Sequence, residues 1–159
     1  MDRILGVDPG ISITGFCFLD TNYKKTKLLG YGTIRPELKD STPKRLKYLY
    51  DEMNIILEKF SPSILAIEDA FYSKNIKSAM TLGHARGAII LSAAKYNLKI
   101  HEFAPRKVKM SVTGNGGASK EQISYMVSKI LNLSKIPKPL DISDAIAVGL
   151  CYINQNKYI

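Results

Sequence analysis

The chain contains few of the residues that build redox or zinc sites. Among its 159 residues are two cysteines, two histidines and no tryptophan. Cys17 and Cys151 each lie inside an apolar segment, far from zinc-ligand spacing, and a structural disulfide is not expected in a reducing compartment. We predict that both are core residues. His84 and His101 lie outside the acidic motifs described below and are predicted to be non-catalytic.

Long hydrophobic runs are also missing. No apolar stretch approaches the roughly 20 residues of a membrane-spanning helix. The chain starts on a strand-like run, without the basic and apolar regions of a signal peptide. These absences predict a cytoplasmic location with no membrane contact. The composition, 45% hydrophobic and 23% charged, is typical of a globular protein, and the length fits a single domain over residues 1–159.

Acidic residues are outnumbered by basic ones. The 23 Lys and Arg residues against 14 Asp and Glu residues give a net charge of +9. A field of this sign favours a polyanionic partner such as nucleic acid. Charge alone leaves an anionic membrane surface open as an alternative.

The spacing of apolar residues predicts an α/β fold. The predicted strands are residues 4–7, 14–19, 28–34, 64–67 and 100–103. The predicted helices are one from a cap at Ser41 to Phe60, residues 73–95, residues 105–112, one behind a capping box of Ser119 and Gln122, and residues 141–156. The first three strands form an antiparallel meander, and strands then alternate with helices. This order predicts a mixed five-stranded sheet flanked by helices on both faces.

Four carboxylates stand at the ends of these predicted elements. Asp8 and Glu68 terminate the two most apolar strands, and adjacent parallel strands would bring them together at the carboxyl edge of the sheet. Asp141 and Asp144 are three residues apart at the start of the last helix, a spacing that puts both on one helical face. If that helix end meets the strands, all four acids converge.

Such a cluster favours metal-ion chemistry. Two like charges about 4 Å apart repel by roughly 4 kcal/mol at an effective dielectric near 20, so the cluster needs protons or a cation. Oxygen ligands select hard ions such as Mg²⁺ or Mn²⁺, and a pair of these ions can support phosphodiester hydrolysis. An acidic pocket on a basic protein is typical of that chemistry.

Three of the four acids also have a simpler interpretation. Asp141 can act as a helix cap, Asp144 can interact with the helix dipole, and Asp8 before Pro-Gly can be a turn residue. Taken singly, these alternatives stay open. The joint placement with Glu68 favours the metal interpretation.

Four motifs resemble the RuvC family of Holliday junction resolvases along nearly the whole chain. They are Ile-Leu-Gly-Val-Asp-Pro-Gly at residues 4–10, Ala-Ile-Glu at 66–68 with Phe-Tyr-Ser-Lys-Asn at 71–75, Leu-Gly-His-Ala-Arg-Gly at 82–87, and Asp-Ile-Ser-Asp-Ala at 141–145. Each motif alone is weak, but their order and intervals together are specific. The resemblance implies an RNase H-like fold.

The resemblance also implies roles for individual residues. Two Mg²⁺ ions per site, for which Mn²⁺ can substitute, would be coordinated by Asp8, Glu68, Asp141 and Asp144. DNA contacts are implied for Phe71, Lys74, Arg86, Lys109 and Lys120, with Phe71 stacking on a base of the opened junction and lysines neutralising phosphate. As alternatives, Phe71 is a core residue and Lys120 a solvated lysine in a first helical turn.

At the level of the whole protein, the resemblance implies a structure-selective endonuclease. It would resolve four-way DNA junctions in recombination and repair by nicking two symmetric strands. The family acts as a homodimer and cooperates with the branch-migration proteins RuvA and RuvB. A stripe of small residues, Ala79, Gly83 and Gly87, fits either the dimer contact or close packing within the chain.

The chain departs from the family pattern at a few positions. Asp69 stands where many relatives carry glutamine, and strand alternation predicts that it points away from the face of Glu68. Ile11 occupies a position that is often serine. The position of Asp144 can be histidine in relatives.

Three other functions compete with a resolvase. Asp8-Pro9-Gly10 with Thr14 is similar to the phosphate-binding hairpin of sugar-kinase and actin-like ATPases, but 159 residues leave no room for the second domain. A non-catalytic junction-binding protein would be expected to lack at least one of the four acids. Another RNase H-like nuclease, acting on RNA–DNA hybrids, would share the metal chemistry.

Overall fold

A computed structural model describes residues 1–69 and 75–158, and these contain a five-stranded sheet and five α-helices. The strands are β1 Asp2–Asp8, β2 Thr14–Thr21, β3 Thr26–Ile34, β4 Ile64–Glu68 and β5 Lys99–Phe103. The helices are α1 Thr42–Phe60, α2 Ile76–Lys95, α3 Pro105–Thr113, α4 Lys120–Ile130 and α5 Asp141–Gln155. The predicted elements are therefore confirmed, with bounds that differ by a few residues.

The sheet has the order β3-β2-β1-β4-β5 and is mixed, as predicted. β1 pairs antiparallel with β2 and parallel with β4, and β4 pairs parallel with β5. Val7 lies opposite Ile67 in the parallel register, so the next residues, Asp8 and Glu68, end neighbouring strands. The carboxyl ends of β1, β4 and β5 thus share one edge of the sheet.

Two helix starts show how local sequence sets the boundaries. At α4 the predicted capping box is present: the Ser119 hydroxyl accepts from the Gln122 backbone N–H, and the Gln122 side chain accepts from the Ser119 N–H. At α1 Ser41 is the N-cap residue, as predicted, but its side chain makes no capping hydrogen bond, and a proline lies in the first turn.

The start of α2 differs from the prediction. Asn75 is the N-cap, and its side-chain oxygen accepts from the Ser78 N–H, so the helix begins at Ile76. The sequence predicts a helix that begins at residue 73, but residues 73 and 74 lie outside the described part of the chain.

The two faces of the sheet carry separate hydrophobic cores, as predicted for helices on both faces. One core joins Leu5, Phe18 and Leu65 to α1 and α2. The other joins the opposite face to α3, α4 and α5, and it contains both Cys17 and Cys151. The prediction that the two cysteines are core residues is confirmed, and both are free thiols.

None of the helices in the described ranges combines the length and apolar character that a bilayer-spanning segment requires.

Candidate active site

The parallel pairing of β1 and β4 places two acids side by side. Asp8 ends β1 and Glu68 ends β4, and their side chains share a hydrogen bond. A hydrogen bond between two carboxyl groups requires a proton on one of them. The sequence prediction that these acids meet at the carboxyl edge of the sheet is correct.

The last helix brings the other pair of acids to the same edge. Asp141 is the first residue of α5, and the N-cap position belongs to Leu140, whose side chain makes no capping bond. The interpretation of Asp141 as the helix cap is therefore wrong. Asp144 follows in the first turn, where its N–H donates to the Leu140 carbonyl oxygen at 3.0 Å.

Two strand glycines allow this approach, and the sequence reasoning missed them. A Cβ on Gly15 would lie 2.3 Å from the carbonyl oxygen of Asp141, and one on Gly6 would lie 2.4 Å from that of Ala145. Only glycine leaves space for α5 to lie directly on β1 and β2. Glycine inside a strand marks close backbone approach, and this signal was available in the sequence.

The acids and two lysines surround a pocket of about 190 Å³. Its lining consists of Asp8, Glu68, Pro105, Val108, Lys109, Lys120, Ile123, Asp144 and Ala147. Asp141 lies at its margin, with its Oδ1 atom 4.0 Å from Lys120 Nζ. The structure thus brings together three predicted acids and both predicted lysines, with the fourth acid adjoining them.

Burial makes the ionised form of these acids unfavourable. Burial, the charges of Glu68 and Asp144, and the hydrogen bond with Glu68 raise the pKa of Asp8 to about 9. Burial also raises the pKa of Glu68, although its hydrogen bond with Asp8 acts in the opposite direction. The pKa of Asp144 is raised by burial against the opposing influence of Lys120. The pocket therefore disfavours the simultaneous ionisation of these acids unless further positive charge enters it.

Lys120 forms ion pairs with the acids of the last helix. Its Nζ lies 3.0 Å from Asp144 Oδ2, while the side chain stays 58% exposed. Burial lowers the pKa of Lys120, but the hydrogen bond with Asp144 and the charges of the acids outweigh this and leave it raised. Lys120 is thus a charged group at the pocket, paired with Asp144, and its role toward DNA stays a prediction.

The carboxylates are suitable ligands for a hard divalent cation, although their oxygen atoms do not converge on a single position. Within residues 1–69 and 75–158, no three His, Cys, Asp or Glu side chains stand in a ready-made metal-binding arrangement. The acids nevertheless supply only oxygen ligands, and a bound cation would offset the burial and mutual repulsion that raise their pKa values. Both properties fit Mg²⁺ or Mn²⁺.

The other predicted DNA contacts lie elsewhere. Arg86, on α2, has a side chain only 11% exposed, and it donates to the Glu68 backbone oxygen and to the Glu102 carboxylate. Its role as a DNA contact stays a prediction. Phe71 and Lys74 lie outside the described residues, so their roles also remain predictions.

Thr14 has a structural partner in the β1–β2 turn. Its hydroxyl donates to the Gly10 carbonyl oxygen at 2.7 Å and accepts from the Gly10 N–H at 3.2 Å. This hydroxyl closes the turn that follows Asp8.

Comparisons with known proteins agree on one family. The sequence model of the family "Crossover junction endodeoxyribonuclease RuvC" matches residues 4–152. A protein of that description from Alkaliphilus oremlandii is 43% identical, over 98% of this chain and 94% of its own length. One from Finegoldia magna is 44% identical, over 98% of this chain and 95% of its own length. Nucleases of this family generally depend on divalent metal ions.

Solved structures lead to the same family. T. thermophilus RuvC in complex with a Holliday junction substrate superposes with a TM-score of 0.91 and 26% identity, over 99% of this chain and 96% of that one. The yeast mitochondrial resolvase Ydc2 superposes with a TM-score of 0.69 at 15% identity, a likeness of fold alone. The predicted RNase H-like fold is confirmed. With matches of sequence and structure along nearly its whole length, the chain belongs to the RuvC family of crossover junction endodeoxyribonucleases.

Proposed function

We propose that this chain, as one nuclease domain, resolves four-way DNA junctions by metal-dependent hydrolysis of two symmetric strands. The observation that carries the proposal is the pocket in which Asp8, Glu68 and Asp144 face Lys109 and Lys120. Acids that lack counter-charge suit a divalent cation, and lysines beside them suit a phosphate. Family membership adds the junction as the substrate class, and recombination and repair as the setting.

Asp8, Glu68, Asp141 and Asp144 would hold the metal, and we propose two Mg²⁺ ions, with Mn²⁺ able to substitute. When bound, such a pair supplies an activated water and stabilises the leaving oxygen. In the protein without metal, burial and the charge of Glu68 raise the pKa of Asp8 and favour its protonated form. That proton must leave before both carboxylates can serve as ligands. The acids therefore set the pH range in which the site can be loaded.

The lysines would handle the phosphate. Hydrolysis forms one P–O bond from water and breaks one ester P–O bond, so negative charge collects around the phosphorus. Lys109 lines the pocket, and Lys120 is held within 3.0 Å of Asp144. We propose that Lys120 turns from Asp144 toward the scissile phosphate as the acids take up metal. Phe71, Lys74 and Arg86 remain proposed DNA contacts by family resemblance.

We also propose that the protein forms a homodimer through the outer face of α2. Ile76, Met80 and Leu91 are 74%, 59% and 61% exposed on this helix. A Cβ on Gly83 or Gly87 would meet no described atom within 4 Å. Packing within the described chain therefore does not account for these small residues. An apolar, small-residue face is suited to a second copy of the chain, and a two-fold dimer suits a two-fold junction.

We further propose a cytoplasmic setting and cooperation with RuvA and RuvB. A junction resolvase needs a junction that can be moved to a cleavable position, which is the function of a branch-migration complex. Both features rest on family membership.

The decisive experiment compares three substrates with the purified protein. A synthetic four-way junction, a plain duplex and an RNA–DNA hybrid are each incubated with Mg²⁺, with Mn²⁺ or with EDTA. Paired symmetric nicks in the junction alone, lost in EDTA, are expected. Cleavage of the hybrid would indicate a ribonuclease instead, and binding of the junction without cutting in either metal would indicate an architectural protein.

A pair of matched substitutions makes the test specific to the pocket. Asp8→Asn should keep junction binding and lose cleavage. Asp51→Asn makes the same chemical change on α1, where Asp51 forms an exposed ion pair with Lys47. It should cleave as the natural chain does. Cleavage retained in Asp8→Asn would remove Asp8 from the site.

A further inference from the structure

Arg86 holds the backbone at the end of the strand that carries Glu68. Its Nε donates to the Glu68 carbonyl oxygen at 3.0 Å, and its Nη2 donates to Glu102 Oε1 at 2.7 Å. Asp69 Oδ1 lies 3.5 Å from the same Nη2. One guanidinium therefore connects the ends of β4 and β5 to the middle of α2.

The contact with Glu68 is to its main chain and not to its carboxylate. A carbonyl held by a charged donor restrains the peptide plane that follows Glu68, and thereby the backbone from which its side chain projects. The Arg86 side chain is only 11% exposed, so few alternative partners compete for it. The rigid fork of an arginine can donate in two directions at once, which a lysine cannot do.

The partner acids keep the guanidinium in place. Asp69 follows Glu68 directly, and its N–H donates to the Phe103 carbonyl oxygen at 2.8 Å, which extends the pairing of β4 with β5. Its carboxylate contacts Arg86, as expected for a residue that points away from the face of Glu68. The acid that departs from the family pattern at position 69 therefore reinforces the arginine.

We propose that Arg86 is a positioning residue that orients the Glu68 carboxylate toward the metal, a role that rests on the proposed function. Asp69 and Glu102 anchor Arg86 in this role. The family resemblance had suggested a DNA contact for Arg86. The burial of Arg86 and the hydrogen bonds that it donates to Glu68 and Glu102 favour a role in positioning Glu68.

The experiment uses two variants at Arg86 and a matched control. Arg86→Gln removes the charge and the fork, and Arg86→Lys keeps the charge without the fork. The control is Arg3→Gln at the opposite end of the sheet. Arg3 forms a similar clamp there: it donates to Asp20 at 2.6 Å and to the Phe60 carbonyl oxygen at 2.7 Å. All variants are checked for folding by thermal unfolding.

Three quantities are measured for each folded variant. The first is Mn²⁺ affinity of the protein without DNA, from the free-ion signal in electron paramagnetic resonance. The second is junction affinity in Ca²⁺ at several salt concentrations. The third is the cleavage rate at saturating junction in Mg²⁺.

Arg86→Gln is expected to lose about 10–100-fold in Mn²⁺ affinity or in cleavage rate, as is typical when a residue that orients a metal ligand is removed. Its junction affinity should stay within about threefold of the natural value, since a positioning residue makes no DNA contact. Arg86→Lys should be nearly as impaired as Arg86→Gln. Arg3→Gln should bind Mn²⁺ and cleave normally, even if its unfolding temperature falls as much as that of Arg86→Gln.

A DNA contact would give the opposite pattern. Junction affinity would fall, its salt dependence would decrease by about one counterion, Arg86→Lys would restore both, and Mn²⁺ affinity would not change. That result, or normal Mn²⁺ affinity together with normal cleavage in Arg86→Gln, would overturn the positioning role. The Mn²⁺ titration needs no substrate. A natural chain that binds Mn²⁺ but cuts no junction would therefore disprove the proposed function, while the Mn²⁺ affinity of Arg86→Gln would still decide the role of Arg86.

Discussion

Gly15 and Asp141 are in backbone contact, with space for no atom between them: a Cβ on Gly15 would lie 2.3 Å from the Asp141 carbonyl oxygen and 2.7 Å from its carbon. Gly15 pairs with Asp8 across β1 and β2. One glycine thus sets how near the acids of α5 come to the acid of β1. The separation of the acids depends on the packing of a helix against a strand.

Gly15→Ala is expected to push the start of α5 away from the sheet. Overpacking of this kind costs about 1–3 kcal/mol of folding free energy. Cleavage should fall further than stability suggests, by up to about 100-fold, because a displacement near 1 Å is enough to disturb a reacting group. Denaturant unfolding and junction cleavage of the same preparation measure both effects.

Gly30→Ala is the matched control for Gly15→Ala. Gly30 also lies in a strand, but a Cβ there would meet the Phe60 ring at 3.5 Å, an ordinary contact. Normal cleavage is expected. Equal losses in the two variants would show that the approach of α5 is not what Gly15 protects.

The stability of the metal-free protein should depend on the charge of Asp8. Burial raises its folded pKa from 3.8 to about 9. The folded state therefore keeps a proton that the unfolded state loses above its ordinary pKa. At pH values below the ordinary pKa, Asp8 is protonated in both states and does not destabilise the fold. As the pH rises toward the folded pKa, Asp8 lowers the free energy of unfolding by an increasing amount.

Asp8→Asn removes the ionisable carboxyl group, and with it this decrease in the free energy of unfolding at high pH. In EDTA at about pH 8, the variant should be more stable than the natural chain by at least about 1 kcal/mol, and the difference should shrink toward pH ~4. Urea unfolding across this pH range is the measurement. A difference that does not change with pH would contradict the raised pKa of Asp8.

Lys120 is expected to serve both the acids and the DNA. Lys120→Gln should reduce cleavage by roughly 100-fold, in the range observed when one charge-stabilising donor is lost. The salt dependence of junction binding should fall by about one counterion. Cleavage rates at saturating junction and binding titrations at several salt concentrations test the two effects separately.

Lys47→Gln provides the comparison for Lys120→Gln. Lys47 is a 77% exposed lysine in an ion pair with Asp51 on α1. The two substitutions change the net charge equally, so only a local effect distinguishes them. If Lys47→Gln slowed cleavage as much as Lys120→Gln, the long-range field and not the pocket would be responsible.

The outer face of α2 should control the oligomeric state. Gly87→Arg places a long charged side chain where no described atom stands within 4 Å, so the fold of the single chain should be retained. Sedimentation velocity should then detect monomers, whereas we expect dimers of the natural chain. Ile55→Arg, at a 57% exposed position on α1, should leave the dimer intact. A dimeric Gly87→Arg would place the interface elsewhere.

Much of the fold could be predicted from the sequence because its signals are local. Apolar runs that end in Asp8 and Glu68 define two strands, and the capping box of Ser119 and Gln122 defines the start of a helix. Each pattern depends on residues a few positions apart, whose side-chain directions follow from the helical or extended repeat. The acids at the strand ends were predicted for the same reason.

The partners of each charged side chain required the tertiary structure. Arg86 carries the same charge as any basic residue of the chain, yet it is buried against Glu68 and Glu102, while Lys120 is held at Asp144. These partners are far apart in sequence and meet only where α2 packs near β5 and where α4 packs against α5. The sequence by itself thus determined the elements and the acids that end them. Only the packing of those elements decided which charges neutralise one another, because that choice depends on distances between segments that no local pattern encodes.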